Sequence, residues 1–312
     1  MLNLRAKYPT EAIEIGEGYA CGIKVNPKGD RPQLLDYKRV PLPFRRKDDD
    51  GLWADYKLDE RFQEGINTLI DWMGKVKRLS IVLPDTASKT FFLDVESDHA
   101  SAKEMRNVIL FKIQKFAPIN MDGTALAYRK LAHGGTVSNN YLALISSRTL
   151  TGSYEKYFSQ SGIHVGSIES ASLCSIGMLN PFIRKQFDEN GNFAVVRVET
   201  GHFTTTVFND FKMVFSRTRL SRSGEQRPEQ MGHELKTLSL FTQDKLGGKE
   251  FDSVYFYGPG SMLEKAHEYL VDSGMNSHKI YLDSLMDVPN ELLRKPEEMG
   301  KMFAAVSVAT RG

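Results

Sequence analysis

Cysteine is almost missing: two in 312 residues, Cys21 and Cys174. They lie too far apart in sequence to supply a disulfide framework or a structural zinc site, and a reducing cytosol fits them best. Net charge is equally scarce, since 41 Lys and Arg against 39 Asp and Glu leave +2 with histidine neutral. That balance argues against a nucleic-acid-binding tail and a polybasic membrane anchor. Long apolar runs are lacking too. No window approaches the ~20 apolar residues of a membrane span, and no signal-like stretch follows Arg5 and Lys7. The chain is therefore expected to be neither secreted nor inserted, and to reach a membrane only through a partner.

Enzyme motifs are missing one by one. Gly247-Gly248-Lys249 lacks the upstream glycine and the Ser or Thr of a phosphate loop. No G-x-S-x-G elbow occurs. His233-Glu234 has no second histidine four residues on, so no metal site is expected. Gly16 to Cys21 approaches G-x-G-x-x-G, but Cys21 stands at the third glycine, and Tyr19 to Val25 reads as a strand where that fingerprint opens a helix. Arg217, Arg219, Arg222 and Arg227 follow a strand and lead to a helix, which reads as a solvated loop.

What is present is a globular composition, 41% hydrophobic and 26% charged. At roughly 100 to 200 residues per domain the length predicts two lobes. Ala12 to Ile15 and Tyr19 to Val25 read as a hairpin around Gly16-Glu17-Gly18, with one further strand near Leu34 to Val40 before an exposed charged loop. Asp59 to Lys75 then shows helical spacing, and Leu79 to Leu83 is an apolar strand stopped by Pro84.

The same order returns after residue 190. Phe193 to Val198 is a strand, Thr204 to Phe208 pairs with Lys212 to Phe215 across an Asn209-Asp210 turn, and a helix opens at Pro228. Val254 to Tyr257, a helix from Met262 to Ser273 and a strand at Ile280 to Leu282 complete it. A different piece lies between the copies. Thr90 to Val95 is a strand, and Ser101 to Glu104 is a capping box whose helix carries Met105, Ile109, Ile113 and Phe116 on one face. Strands at Leu126 to Leu131 and Tyr141 to Ser146 and a helix from Gly152 to Ser161 make this a βαββα insertion. A duplicated α/β unit with a cleft between its copies is predicted.

Three stretches carry a family resemblance: Ile13 to Gly16, Val195 to Gly201, and Gly258 to Ser261. They resemble the first phosphate loop, second phosphate loop and adenosine motif of the actin-like ATPase fold. Within that superfamily the chain is similar to the PilM family of type IV pilus assembly proteins. Phe111 to Ile119, Tyr128, Tyr141 to Arg148, Ser161 to Leu173 and the closing Met302 to Gly312 bear that likeness. The resemblance implies a first actin-like domain of residues 1–86, 163–192 and 301–312, an inserted α+β subdomain of 87–162, and a second actin-like domain of 193–300.

It further implies a nucleotide cleft formed by Glu14, Gly16, Glu17, Gly18, Arg197, Glu199, Gly258 and Gly260. Here the sequence departs from the family pattern. Glu14 replaces an Asp, Glu17 and Tyr19 replace part of a small polar set, and Arg197-Val198-Glu199 stands where a metal-facing Asp-x-Gly is expected. Arginine cannot coordinate a cation, and an added carboxylate repels a triphosphate. ATP with magnesium is thus disfavoured and no catalytic residue is expected. Arg197 is left to pair with Glu14 or Glu199, or to meet a phosphate itself.

The implied role is a non-catalytic cytoplasmic scaffold, peripheral to the inner membrane. It would hold the N-terminal cytoplasmic peptide of a PilN-like protein, with the pilus motor ATPase as a further partner. Phe111, Phe116 and Pro118 are candidates to line the groove between insertion and first domain; general burial preferences place each of them in a core instead. Two other readings stay open: an active ATPase or kinase with Glu14 as the carboxylate in register, and the actin-like platform of a type II secretion system, whose following membrane helix is not found before Gly312.

Overall fold

The computed structural model describes residues 8–43, 58–95, 101–131, 141–186, 191–220, 228–243, 248 and 250–311. Arg5, Lys7, the charged run of 45–50, Arg222, Arg227, Gly247, Lys249 and Gly312 lie outside them.

Two five-stranded sheets share one topology. In the first the order is β3 (Gln33–Pro41), β2 (Tyr19–Asn26), β1 (Glu11–Gly16), β4 (Arg78–Leu83), β8 (His164–Ser170). In the second it is β11 (Lys212–Leu220), β10 (His202–Asn209), β9 (Phe193–Val198), β12 (Ser253–Tyr257), β13 (Ser277–Lys279). Each opens as a three-strand antiparallel meander and then adds two parallel strands. The predicted duplication is therefore real at the level of hydrogen-bonded order. The apolar runs of β4 and β12 follow from their places inside the sheets, where both faces are covered.

The insertion forms a third sheet, ordered β5 (Ser88–Leu93), β7 (Tyr141–Ser147), β6 (Thr124–Lys130), whose core is closed by helix α2 (Ala102–Gln114); helix α3 (Arg148–Gln160) instead buries Leu150, Tyr154 and Phe158 in the core of the first sheet. The capping box is in place: Ser101 accepts from the Glu104 amide, and Glu104 accepts from the Ser101 amide. Helix α1 (Glu60–Met73) starts at Asp59, which accepts from the Phe62 amide at 3.0 Å, and buries Phe62, Ile66, Leu69 and Met73. The remaining helices are α4 (Ala171–Gln186), α5 (Pro228–Thr242), α6 (Gly260–Asp272), α7 (Pro296–Gly300) and α8 (Phe303–Ala309). Helix α8 is buried on every side, as its Phe-Ala-Ala-Val-Ser-Val-Ala sequence dictates. It packs on α4, β1, β2 and β4. One continuous core runs through this layer, from Ala12 and Cys21 of the first sheet through Phe303 to Tyr255 and Tyr257 of the second.

Several sequence expectations shift. The last strand is Ser277–Lys279, not Ile280 to Leu282, and Leu282–Ser284 is a 3-10 turn. The β10–β11 turn is Asp210-Phe211, both at positive φ (50° and 58°), one residue later than expected. This is the mirror-image geometry that suits a twisted two-residue hairpin. Arg217 and Arg219 lie within β11 rather than in a loop after it, where both pair with Glu234 at 3.3 and 2.8 Å.

Candidate functional site

The centre of the molecule is where the β1–β2 turn meets the end of β9. Strand alternation decides which side chains enter it. Ile13 and Ile15 face α1, so Ala12 and Glu14 face the layer between the sheets. On β9, Val196 faces outward, so Val195 and Arg197 face the same layer. Glu14 and Arg197 consequently meet. Arg197 Nη2 donates to Glu14 Oε1 at 2.5 Å and to Glu199 Oε1 at 2.5 Å, and all three side chains are buried. Glu14 Oε2 accepts from the Ala305 amide at 2.9 Å, and the Tyr19 hydroxyl donates to Glu199 at 3.4 Å.

Burial raises the Glu14 carboxyl above its usual range despite Arg197, and Glu199 adds to the rise. The Arg197 guanidinium opposes burial through Glu14 and Glu199 and stays charged. Among the described residues its Nε and Nη1, like Glu199 Oε2, have no hydrogen-bond partner, so one nitrogen carries both carboxylate contacts.

A second link joins the two turns. Glu17 Oε1 lies 3.0 Å from His202 Nδ1, and a Cβ added to Gly201 would fall 2.1 Å from Glu17 Oε2. Only a glycine lets the carboxylate lie on that backbone. Burial by itself would lower the His202 imidazole. The hydrogen bond and charge of Glu17, with Glu199 and Asp85 nearby, raise it instead.

A third link was not foreseen. Asp85, in the turn after β4, accepts from Ser170 Oγ at 2.7 Å, the Ser172 amide at 2.9 Å, the Ser172 hydroxyl, and Thr204 Oγ1 at 2.9 Å. Ser170 and Ser172 belong to the first sheet and its helix, and Thr204 to β10 of the second. Burial opposes ionisation there, yet Arg197, His202 and the two serines hold the carboxyl below its usual value. Nothing in Leu83-Pro84-Asp85-Thr86 marks this role, because the partners are 85 to 119 residues away.

The sequence-derived cleft residues therefore converge, but on one another. Glu14, Arg197 and Glu199 form an ion-paired cluster. Glu17 turns to His202 and Gly201, Gly18 makes the turn at φ 82°, and Gly16 lies under the Tyr19 ring. Gly258, at φ 137°, packs so close to β9 that a Cβ would fall 2.1 Å from the Val198 carbonyl oxygen; Gly260 opens α6. Four carboxyl groups, Glu14, Glu17, Asp85 and Glu199, surround one guanidinium and one imidazole.

Phe111, Phe116 and Pro118 are all exposed, the two phenylalanines by 59% and 74%, which overturns the core expectation. Helix α2 ends at Gln114, and the Phe116 amide bonds to the Ile113 carbonyl at 2.9 Å, a tighter turn that carries Phe116 off the buried stripe. Two cavities lie between the insertion and the first domain. One, about 250 Å³, lies beside β6 and β8 and includes Ala127, Leu144, Ile168, Glu155 and Glu169. The other, about 350 Å³, is lined by Phe116 and β5 of the insertion, by Asp85, Ser170 and Ser172 of the first domain, and by β11 of the second.

Duplicated 3-2-1-4-5 sheets closing on a central cleft, with a helix pair between them, define the actin-like fold. No protein-family model and no curated protein matches the chain. Solved structures do. The chain is similar to one described as a PilM-PilN type IV pilus biogenesis complex, with 15% identity, TM-score 0.76, and 98% of this chain and 99% of that one covered. It is also similar to a Bacteroides thetaiotaomicron protein with actin-like ATPase fold and unknown function, at 12% identity and TM-score 0.55 over 92% and 96% of the two chains. A further likeness, at 6% identity and TM-score 0.50 over 85% and 96%, is to the cytoplasmic domain of EpsL, an inner membrane component of the type II secretion system of Vibrio cholerae. At such identities the likeness establishes the fold, as the sequence motifs had implied. Among the described residues no helix is long and apolar enough to cross a membrane.

Proposed function

We propose that this chain is a non-enzymatic scaffold of type IV pilus assembly that holds the cytoplasmic N-terminal peptide of a PilN-like inner-membrane protein. The observation that carries the scaffold reading is the Glu14–Arg197–Glu199 cluster, which fills with an internal ion pair the positions that the resemblance gives to phosphate and metal. A cleft closed by its own side chains has no need of nucleotide to hold its halves together.

The peptide reading rests on the cavity between β6 and β8. Both are edge strands, of the third and first sheets, so an extended segment can add to either. Its walls are apolar at Ala127, Leu144 and Ile168 and acidic at Glu155 and Glu169. Cytoplasmic segments next to a membrane helix are biased to Lys and Arg, which complements that wall.

The test is titration of a fluorescein-labelled PilN-like N-terminal peptide, followed by anisotropy. Ala127 is exposed on β6 and lines the groove, so Ala127→Arg fills and charges it with little cost to the fold. Binding should weaken at least tenfold, about 1.4 kcal/mol. Unchanged affinity would remove the peptide from this groove.

A further inference from the structure

One acid of the β6–β8 groove is already touched by a cation of the chain itself. Arg311, just past α8, donates from Nη1 to Glu169 Oε1 at 3.4 Å, and the two side chains are 29% and 26% exposed. The contact is long for a charged pair. Among the described residues the carboxylate makes no other hydrogen bond or ion pair, so Oε2 is open. Arg311 is anchored without it: Nη2 donates to the Cys174 carbonyl of α4 at 2.8 Å, and the guanidinium lies over the Tyr8 ring. Burial raises the Glu169 carboxyl, and Arg311 counters that rise.

Strand alternation sets what a neighbour of β8 must present. Ile168 packs with the core beneath α1 and α3, so Glu169 points to the opposite face, towards α4 and the end of α8. Strand β8 is the outer strand of its sheet. An extended segment laid along it therefore sends successive side chains to the Ile168 face and the Glu169 face in turn.

From this we infer that Glu169 is the specificity-determining residue of the peptide groove: it takes a Lys or Arg of the bound segment, next to an apolar residue that packs on Ile168, and Arg311 is the internal counter-ion which that basic side chain displaces. This rests on the peptide reading above. A segment with a neutral residue at the position leaves the Glu169–Arg311 pair as it stands and gains nothing from it. One with an acid there meets the carboxylate and is rejected. Exchange does not strand Arg311, which keeps the Cys174 carbonyl and the Tyr8 ring.

The experiment is anisotropy titration of the labelled PilN-like N-terminal peptide against the full chain and its variants. Arg311→Gln should tighten binding and Glu169→Gln should weaken it, each by about two- to fivefold, the range of partly exposed ion pairs. Arg311→Lys keeps the rival charge and should return the affinity towards that of the unaltered protein, which a loss of packing on Tyr8 would not do. In the Glu169→Gln background Arg311→Gln should have no further effect, the mark of a coupled pair. A peptide with its basic residues replaced by Gln should bind all these forms alike. Tightening that is absent, or that persists without Glu169, would overturn the inference and leave the peptide in its groove if Ala127→Arg still blocks it. Absence of peptide binding, or binding indifferent to Ala127→Arg, would overturn the groove reading and this inference with it.

Discussion

Arg197 on β9 reaches Glu14 on β1 at 2.5 Å and so ties the central strands of the two five-stranded sheets through a buried ion pair. Glu199 shares the same guanidinium nitrogen. Around this pair lie Glu17–His202 on one side and Asp85–Thr204 on the other. Each of the three links has one member in the first sheet or its turns and one in the second.

Removing the shared cation should be severe. Arg197→Met leaves two buried carboxylates facing each other and is expected to cost about 3–5 kcal/mol. The triple variant Glu14→Leu, Arg197→Met, Glu199→Leu should recover most of that loss, because no charge is then left unpaired. Urea denaturation of both checks it. A single-variant loss below about 1 kcal/mol would mean the pair does not hold the sheets together.

Asp85→Ala removes an acceptor shared by Ser170, Ser172 and Thr204. Hydrogen bonds to charged groups contribute about 1.5–3 kcal/mol each, without strict additivity, so a loss of about 3 kcal/mol or more is expected. Amide exchange should rise at the start of β10. Unaltered exchange there would show that Thr204 does not depend on the carboxylate.

The pH dependence has a definite sign. The folded His202 value lies above the unfolded one, so its contribution is complete below about pH 6.5 and fades as pH rises through the folded value. Asp85 acts at the other end: its lowered value gives stability present above about pH 3.9 and lost as pH falls further. Denaturation at pH 6 and pH 8.5 should show a larger loss in the unaltered protein than in His202→Gln. Equal losses would remove His202 as the cause.

Calorimetric titration of ATP with magnesium should give no binding heat. Micromolar binding by the unaltered protein would contradict the closed cleft.

Phe111→Ser and Phe116→Ser should each alter stability by no more than about 0.5 kcal/mol, because both rings are mostly exposed. Thermal unfolding is a sufficient check, and a loss of several kcal/mol would place them in a core after all.

Much of the fold was legible because it is written locally. The apolar run Leu79 to Leu83, the Asp59 cap and the Ser101–Glu104 box each fix an element through neighbours a few residues away. Phe116 shows where periodicity misleads: its place on the Ile109–Ile113 stripe assumes that the helix continues, and the chain tightens at Lys115 instead.

The sequence by itself determined the two copies, the insertion and the unusual charges at Glu14, Glu17, Arg197 and Glu199, since these are matters of pattern and residue type. Only the tertiary structure decided how those charges are used. Glu14 and Arg197 are 183 residues apart, and Asp85 and Thr204 are 119. Their meeting depends on how the sheets pack through α4 and α8, where burial removes water and leaves each charge to the partner that folding brings to it.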